Sequence, residues 1–203
     1  MKEQVRGTIE MTAAMTILGT IGWFVVMADR PAMDVVFWRC FFGALSLLVI
    51  CATMGLLRGL LNVRMLGWAA LGGVAIVTNW YMLFQSYSMA SISVSTAVYN
   101  TQPFMLVLFG AAFFGEKLTI NKFVWLGIAF AGLLLIISGK PQGGLGGSDY
   151  AGGILMALGA ALFWATAAII TQKLKGTPPH LIALVQVCIG IVMLAPFADF
   201  ENL

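Results

Sequence analysis

The chain has 203 residues, 61% of them hydrophobic and only 9% charged, with a net charge of +3 and a mean hydropathy of +0.97. Soluble domains carry about 25% charged residues, so these charges cannot cover a water-facing surface and lipid must solvate most of the chain. The small positive excess is too thin for a nucleic-acid face, and the distribution of Lys and Arg gives it a better account.

A helix crosses the hydrocarbon core in about 20 apolar residues. Seven runs qualify, at 8–28, 33–54, 66–86, 92–114, 122–138, 151–172 and 180–197. They are too long and too evenly apolar for barrel strands, which alternate over about ten residues. The expected fold is therefore an all-α polytopic bundle. The first run lacks the short apolar core and cleavage site of a signal peptide, and reads as a retained span.

Run one carries a stripe of Thr8, Thr12, Thr16, Gly19 and Trp23, which suits packing against a neighbour or lining a cavity. Glu10 follows Arg6 by four residues. It reads either as an i,i+4 ion pair at the surface or as a proton-coupling carboxylate. Run two holds Arg39, roughly 9 Å in from its end. A charge at that depth costs at least about 2 kcal/mol against lipid. Arg39 either snorkels toward Asp34 or Asp29, or turns into a cavity and binds a carboxylate.

Run three contains TNWYMLFQSYS. Asn79, Leu83 and Ser86 share a face with Trp80 beside them, while Tyr81 and Gln85 lie on another. Amides next to an aromatic ring can hold an amphipathic metabolite. Packing is the other reading for Trp80, and a place in the interfacial belt is the other for Tyr87.

Run four contains TAVYNTQPFM, with Asn100, Gln102 and Pro103 near the middle of an apolar segment. Pro103 cannot donate a backbone hydrogen bond and disturbs the Tyr99 carbonyl. In lipid that carbonyl must face protein, water or a ligand. Spacing sets Ser93, Thr96, Asn100, Pro103, Val107 and Gly110 on one face. The expectation is a kinked helix turning a wet stripe to a cavity, with Gln102 directed toward a neighbour or the same cavity. Interhelical packing is the alternative. Glu116, in the turn that follows, reads as a helix cap. Run six has a small-residue stripe of Ala157, Ala161, Trp164 and Ala168.

The linkers ADRPAMD (Ala28–Asp34) and GKPQGGLGGSD (Gly139–Asp149) carry turn chemistry, and the second is the best internal boundary. With the N-terminus inside, Lys2, Arg6, Arg58, Arg64, Lys117, Lys122, Lys173 and Lys175 fall on the inner side, against Arg30 and Lys140 outside. Eight against two places the N-terminus in the cytoplasm.

Weak self-similarity runs across the glycine-rich linker. An offset of 147 sets Pro31 on Pro178, Arg39 on Gln186 and Gly43 on Gly190, and Gly7 meets Gly152 two residues off that register. A unit of five helices is odd, so its repeat is inverted, as in secondary transporters whose sites lie between halves. Residues 1–138 form the first unit, 139–150 an external linker and 151–203 part of a second. Two units would make ten helices, so about three are expected to be missing and the chain reads as truncated.

The stretch from Asn79 to Ile137 resembles the EamA-type domain of the drug/metabolite transporter superfamily. The residues that carry the likeness are the polar, proline-bearing fourth run, the succession Gly115-Glu116-Lys117-Leu118-Thr119, a glycine-spaced fifth run, and FWRC with Arg39. The resemblance implies a ten-helix carrier of small organic metabolites, amino-acid-like solutes among them, in the bacterial inner membrane. Such a chain works by alternating access, with a small-molecule solute and the bilayer as its partners, and a homodimer or further helices completing it. Asn100, Thr96, Pro103, Asn79, Trp80, Arg39 and Gln102 are the candidate substrate contacts, and Glu10 the candidate for coupling.

Two other readings stand beside it. One is a non-transporting fragment of such a carrier. The remote one is an intramembrane enzyme, for which H-E-x-x-H and G-x-S-x-G are absent and, apart from Asp34 at the edge of run two, Glu10 is the lone acid within a run. No cofactor is expected. The three cysteines, Cys40, Cys51 and Cys188, lack metal-ligand spacing, and a single histidine, His180, cannot make a His-rich site.

Overall fold

A computed structural model describes residues 2–57, 63–114, 119–121 and 148–197, with scattered positions between 124 and 135. The described residues form helices and no strand. They comprise α1 (Lys2–Met27), α2 (Ala32–Thr53), α3 (Val63–Ala90), α4 (Ile92–Tyr99), α5 (Gln102–Phe114), α6 (Ser148–Gln172), α7 (Pro179–Leu194) and a closing 3₁₀ turn, Ala195–Phe197. Five are long and apolar enough to span a membrane: α1, α2, α3, α6, and α7 with its 3₁₀ turn. The expected span at 122–138, Glu116, Lys117, Lys122, Lys140 and most of the glycine-rich linker lie largely or wholly outside the described residues.

The expected single span at 92–114 is instead two helices. Helix α4 closes at Tyr99, where the Asn100 amide donates to the Thr96 carbonyl at 3.0 Å and the Thr101 amide to Val98 at 3.0 Å. Helix α5 restarts at Gln102, and its first turn closes on the Thr101 carbonyl, from Phe104 at 3.0 Å and Met105 at 3.3 Å. Pro103 is the second residue of α5, where a missing N–H costs nothing because first-turn amides lack intrahelical partners. Pro103 thus starts a helix rather than kinking one, and the stripe from Ser93 to Gly110 is not one continuous face. Just before α4 the chain turns on a single residue, Ser91, at a φ of 74°.

Helix α3 is the centre. It lies antiparallel to α6 along its whole length. A Cβ at Gly153 would stand 2.9 Å from the Ala90 backbone nitrogen, Asn79 meets Ala160 midway, and Lys173 lies over the Trp68 ring at 4.4 Å. Helix α7 wedges between α2 and α3. A Cβ at Gly73 would stand 3.0 Å from the Gln186 backbone, and one at Gly190 2.8 Å from Val77. Association in lipid lacks a hydrophobic drive, so such close backbone approach at small residues supplies the attraction. The main core holds Val36, Phe37, Cys40, Val77, Leu83, Phe84 and Val187, all buried.

Helices α2 and α7 share their geometry. Pro31 caps α2 at φ −53°, ψ 141°, and Pro178 caps α7 at φ −56°, ψ 131°. The Pro31 carbonyl accepts from Asp34 and Val35, and the Pro178 carbonyl from Leu181 and Ile182, all four donors fitting the offset of 147. The two helices also touch reciprocally. Gly43 faces Val187 and Gly190 faces Cys40, and that offset maps one contact onto the other. As one number rises the other falls, so the pair is antiparallel.

Candidate functional site

Polar side chains from several helices gather where α4 breaks off. Asn79 of α3 is fully buried. Its Nδ2 donates to the Ala160 carbonyl of α6 at 2.6 Å and to the Tyr99 hydroxyl at 3.1 Å, and that hydroxyl donates to Asn79 Oδ1 at 3.3 Å. One amide therefore ties α3, α4 and α6. Gln102, across the break on α5, is within hydrogen-bonding reach of Tyr99, and Thr96 of α4 is within reach of the Tyr87 hydroxyl of α3. Ser95 adds a 2.9 Å bond to the Ser86 carbonyl, which holds α4 against the end of α3.

Arg39 of α2 turns toward the same region. Its guanidinium carbon lies 4.3 Å from the centroid of Trp80 and 5.9 Å from that of Phe84. Of the two sequence readings, the side chain takes the inward one, against α3. Arg39 and Phe84 line a recess of about 350 Å³ walled by Ile21, Phe24, Val25 and Val35. A second, larger cleft, of about 480 Å³, opens between α6 and α7, lined by Gln186, Trp164, Ile76, Thr171 and Lys175 among others. Gln186 is the residue that the offset of 147 pairs with Arg39, so each member of that pair lines a cleft.

The candidates divide into two groups. Arg39, Asn79, Trp80, Thr96 and Gln102 come together around Tyr87 and Tyr99. Asn100 and Pro103 form the break itself and are exposed, while Thr101 between them is buried, its Oγ1 meeting no partner among the described residues. Glu10 is exposed on α1, apart from the cluster. The two tyrosine hydroxyls and Thr101 were not chosen from sequence. Tyr99 lies four residues before Pro103, which drew notice to its carbonyl alone. Among the described residues no group of three His, Cys, Asp or Glu could hold a metal.

The arrangement offers a planar cation, amides, phenols and aromatic faces within a bundle of membrane-crossing length. Such a set can hydrogen-bond to and stack on a small organic molecule, and the residues gathered here include no nucleophile paired with a base. The profile of the EamA-like transporter family matches residues 6–138, well over half the chain. The chain belongs to the EamA-like transporter family. A protein of Bacillus subtilis (strain 168), "Uncharacterized transporter YxxF", is 28% identical over 224 aligned positions, covering 98% of this chain and 64% of that protein. An "Uncharacterized transporter" of Haemophilus influenzae (strain ATCC 51907 / DSM 11121 / KW20 / Rd) is 28% identical over 181 positions, covering 87% of this chain and 58% of its own length. The chain thus spans less than two thirds of these curated relatives. A solved structure described as "Crystal structure of protein" shares the fold, with a TM-score of 0.56 at 21% identity over 84% of this chain and 60% of that one. Family, relatives and apolar helices together make this EamA-like chain a multi-pass membrane protein.

Proposed function

We propose that this chain is the larger part of a carrier that moves small organic solutes, amino-acid-like metabolites among them, across the bacterial inner membrane. The observation that carries the reading is the convergence of Arg39, Asn79, Trp80, Tyr87, Tyr99 and Gln102 near the break between α4 and α5. Discontinuous helices at membrane depth are tolerated where they line a cavity, and transporters use them as solute sites. In this reading Arg39, Trp80, Thr96 and Gln102 contact the solute, Asn79 fixes the three helices that carry the site, Asn100 and Pro103 keep the helix open, and Glu10 is the residue to test for coupling. The N-terminus is cytoplasmic, from the bias of Lys and Arg.

The reciprocal contacts of α2 and α7 support two inverted units, residues 1–138 and 151–203, joined by the linker 139–150. Rocking of one unit against the other gives alternating access. Further helices or a second copy supply the counterparts of α3 to α5.

The test is counterflow in proteoliposomes carrying the full-length protein, with a panel of amino acids and related metabolites. Accumulation of at least one solute is expected, with about tenfold loss in Tyr99→Phe or Asn79→Ala from a missing contact to a buried polar group. Absence of flux across the panel, or flux untouched by both substitutions, refutes the carrier reading at this site.

A further inference from the structure

Arg39 has no carboxylate counter-ion among the described residues. Among the described residues, the ionisable groups near enough to act on it are Cys40, Tyr87 and Tyr99, and no carboxylate is among them. Thiols and phenols are neutral at physiological pH, so these three neighbours do not compensate its charge. Asp34, on the same helix, is five residues away and near the helix end, whereas the guanidinium lies over Trp80 and Phe84 of α3. None of the described residues accepts a hydrogen bond from its five N–H donors.

A charge at membrane depth without an opposite charge beside it is costly, and such residues mark sites for ions or solutes. The stack on Trp80 has a further effect. A guanidinium lying over an aromatic ring gains cation–π attraction and is held in plane. Its donors then remain on the rim, as a planar fork that matches a carboxylate with two parallel hydrogen bonds. The recess beside it, about 350 Å³, is at the small end of ligand sites, which run from about 300 to 1,000 Å³. Its other walls are apolar: Ile21, Phe24, Val25, Val35 and Phe84.

From these features we infer that the recess between α1, α2 and α3 binds a small organic anion, a carboxylate seated on Arg39 with an apolar or aromatic body against Phe24 and Phe84. This deepens the carrier reading, rests on it for physiological meaning, and names the solute class. The reciprocal register adds a contrast, because Gln186 holds the matching place on α7 and is neutral, so the anion preference belongs to the α1–α2 side.

The probe is radiolabelled phenylacetate, with phenylacetamide as the neutral isostere. Equilibrium binding is measured on the full-length protein in phosphatidylcholine nanodiscs, with and without phosphatidylglycerol. The wild type is expected to favour the acid by about tenfold or more, the worth of a charge-assisted bond. Arg39→Gln is expected to bring acid and amide to near parity, and Arg39→Lys to keep part of the preference. Phosphatidylglycerol is expected to leave acid binding unchanged. Equal binding of both probes, binding of neither, or a preference that survives Arg39→Gln overturns the inference. Loss of acid binding in phosphatidylglycerol assigns the cation to a lipid headgroup and overturns it too. If Arg39→Gln fails to fold, the acid–amide comparison in the wild type and Arg39→Lys still decides. Counterflow separates the two readings: acid preference without flux of any solute sinks the carrier alone, and flux without acid preference sinks the anion site alone.

Discussion

Asn79 fastens three helices through one amide, and its removal takes one hydrogen-bond partner each from the Ala160 carbonyl and the Tyr99 hydroxyl in an apolar interior. Unsatisfied buried groups cost about 1–3 kcal/mol each, although hydrogen bonds between membrane helices measure nearer 0.6 kcal/mol on average. Asn79 is fully buried, so Asn79→Ala is expected to lose about 1–2 kcal/mol in thermal unfolding of the detergent-purified protein. Tyr99→Phe removes only the hydroxyl and is expected to lose about half as much. Asn100→Ala, at an exposed position, is expected to stay within about 0.5 kcal/mol of wild type. Thr101 gives the opposite sign. Its buried Oγ1 has no partner among the described residues, so the isosteric Thr101→Val is expected to raise the unfolding temperature. A drop would mean that the hydroxyl meets water or solute in the folded protein. Residue types were legible in the sequence here, and their directions less so. Tyr87 sits near a helix end, where an interfacial belt is the ordinary expectation, and only the packing of α4 against α3 brings Thr96 to its hydroxyl.

The packing of α3 against α6 and α7 depends on glycine, and two cases should part ways. A Cβ on Gly153 meets the Ala90 backbone nitrogen at 2.9 Å, which cannot move without shifting α3. A Cβ on Gly72 meets the amide end of Gln186 at 2.8 Å, a side chain that can swing away. Gly153→Ala is therefore expected to cost about 1–3 kcal/mol, and Gly72→Ala to be neutral or stabilising, since alanine gains up to about 1 kcal/mol within a helix. Unfolding in detergent reads both. At this scale hydropathy located the long helices to within a few residues. It could not resolve the division between α4 and α5, because an interruption of two residues barely alters the mean over a window long enough to cross a membrane. The proline did signal a disturbance, but sequence alone does not distinguish a kink inside a helix from the first turn of a new one.

For the molecule as a whole, sidedness follows from the alternation of spans. The α1–α2 turn with Arg30 and the α6–α7 turn with Lys175 fall at opposite ends of the bundle, the first beside the start of α2 and the second beside the start of α7. Cysteines placed at Arg30 and Lys175 should react with an impermeant maleimide from opposite faces of intact cells, Arg30→Cys from outside. Labelling of both from one face ends the topology. In the sequence the repeat rests on three pairs at one offset, and the same offset relates two capping prolines and two interhelical contacts. That symmetry bears on motion. If two half-bundles tilt like a seesaw about a shared fulcrum, displacement is least where the antiparallel pair crosses, at Gly43–Val187 and Cys40–Gly190. A covalent tether introduced there should leave turnover intact, while the same tether at the rim should arrest it.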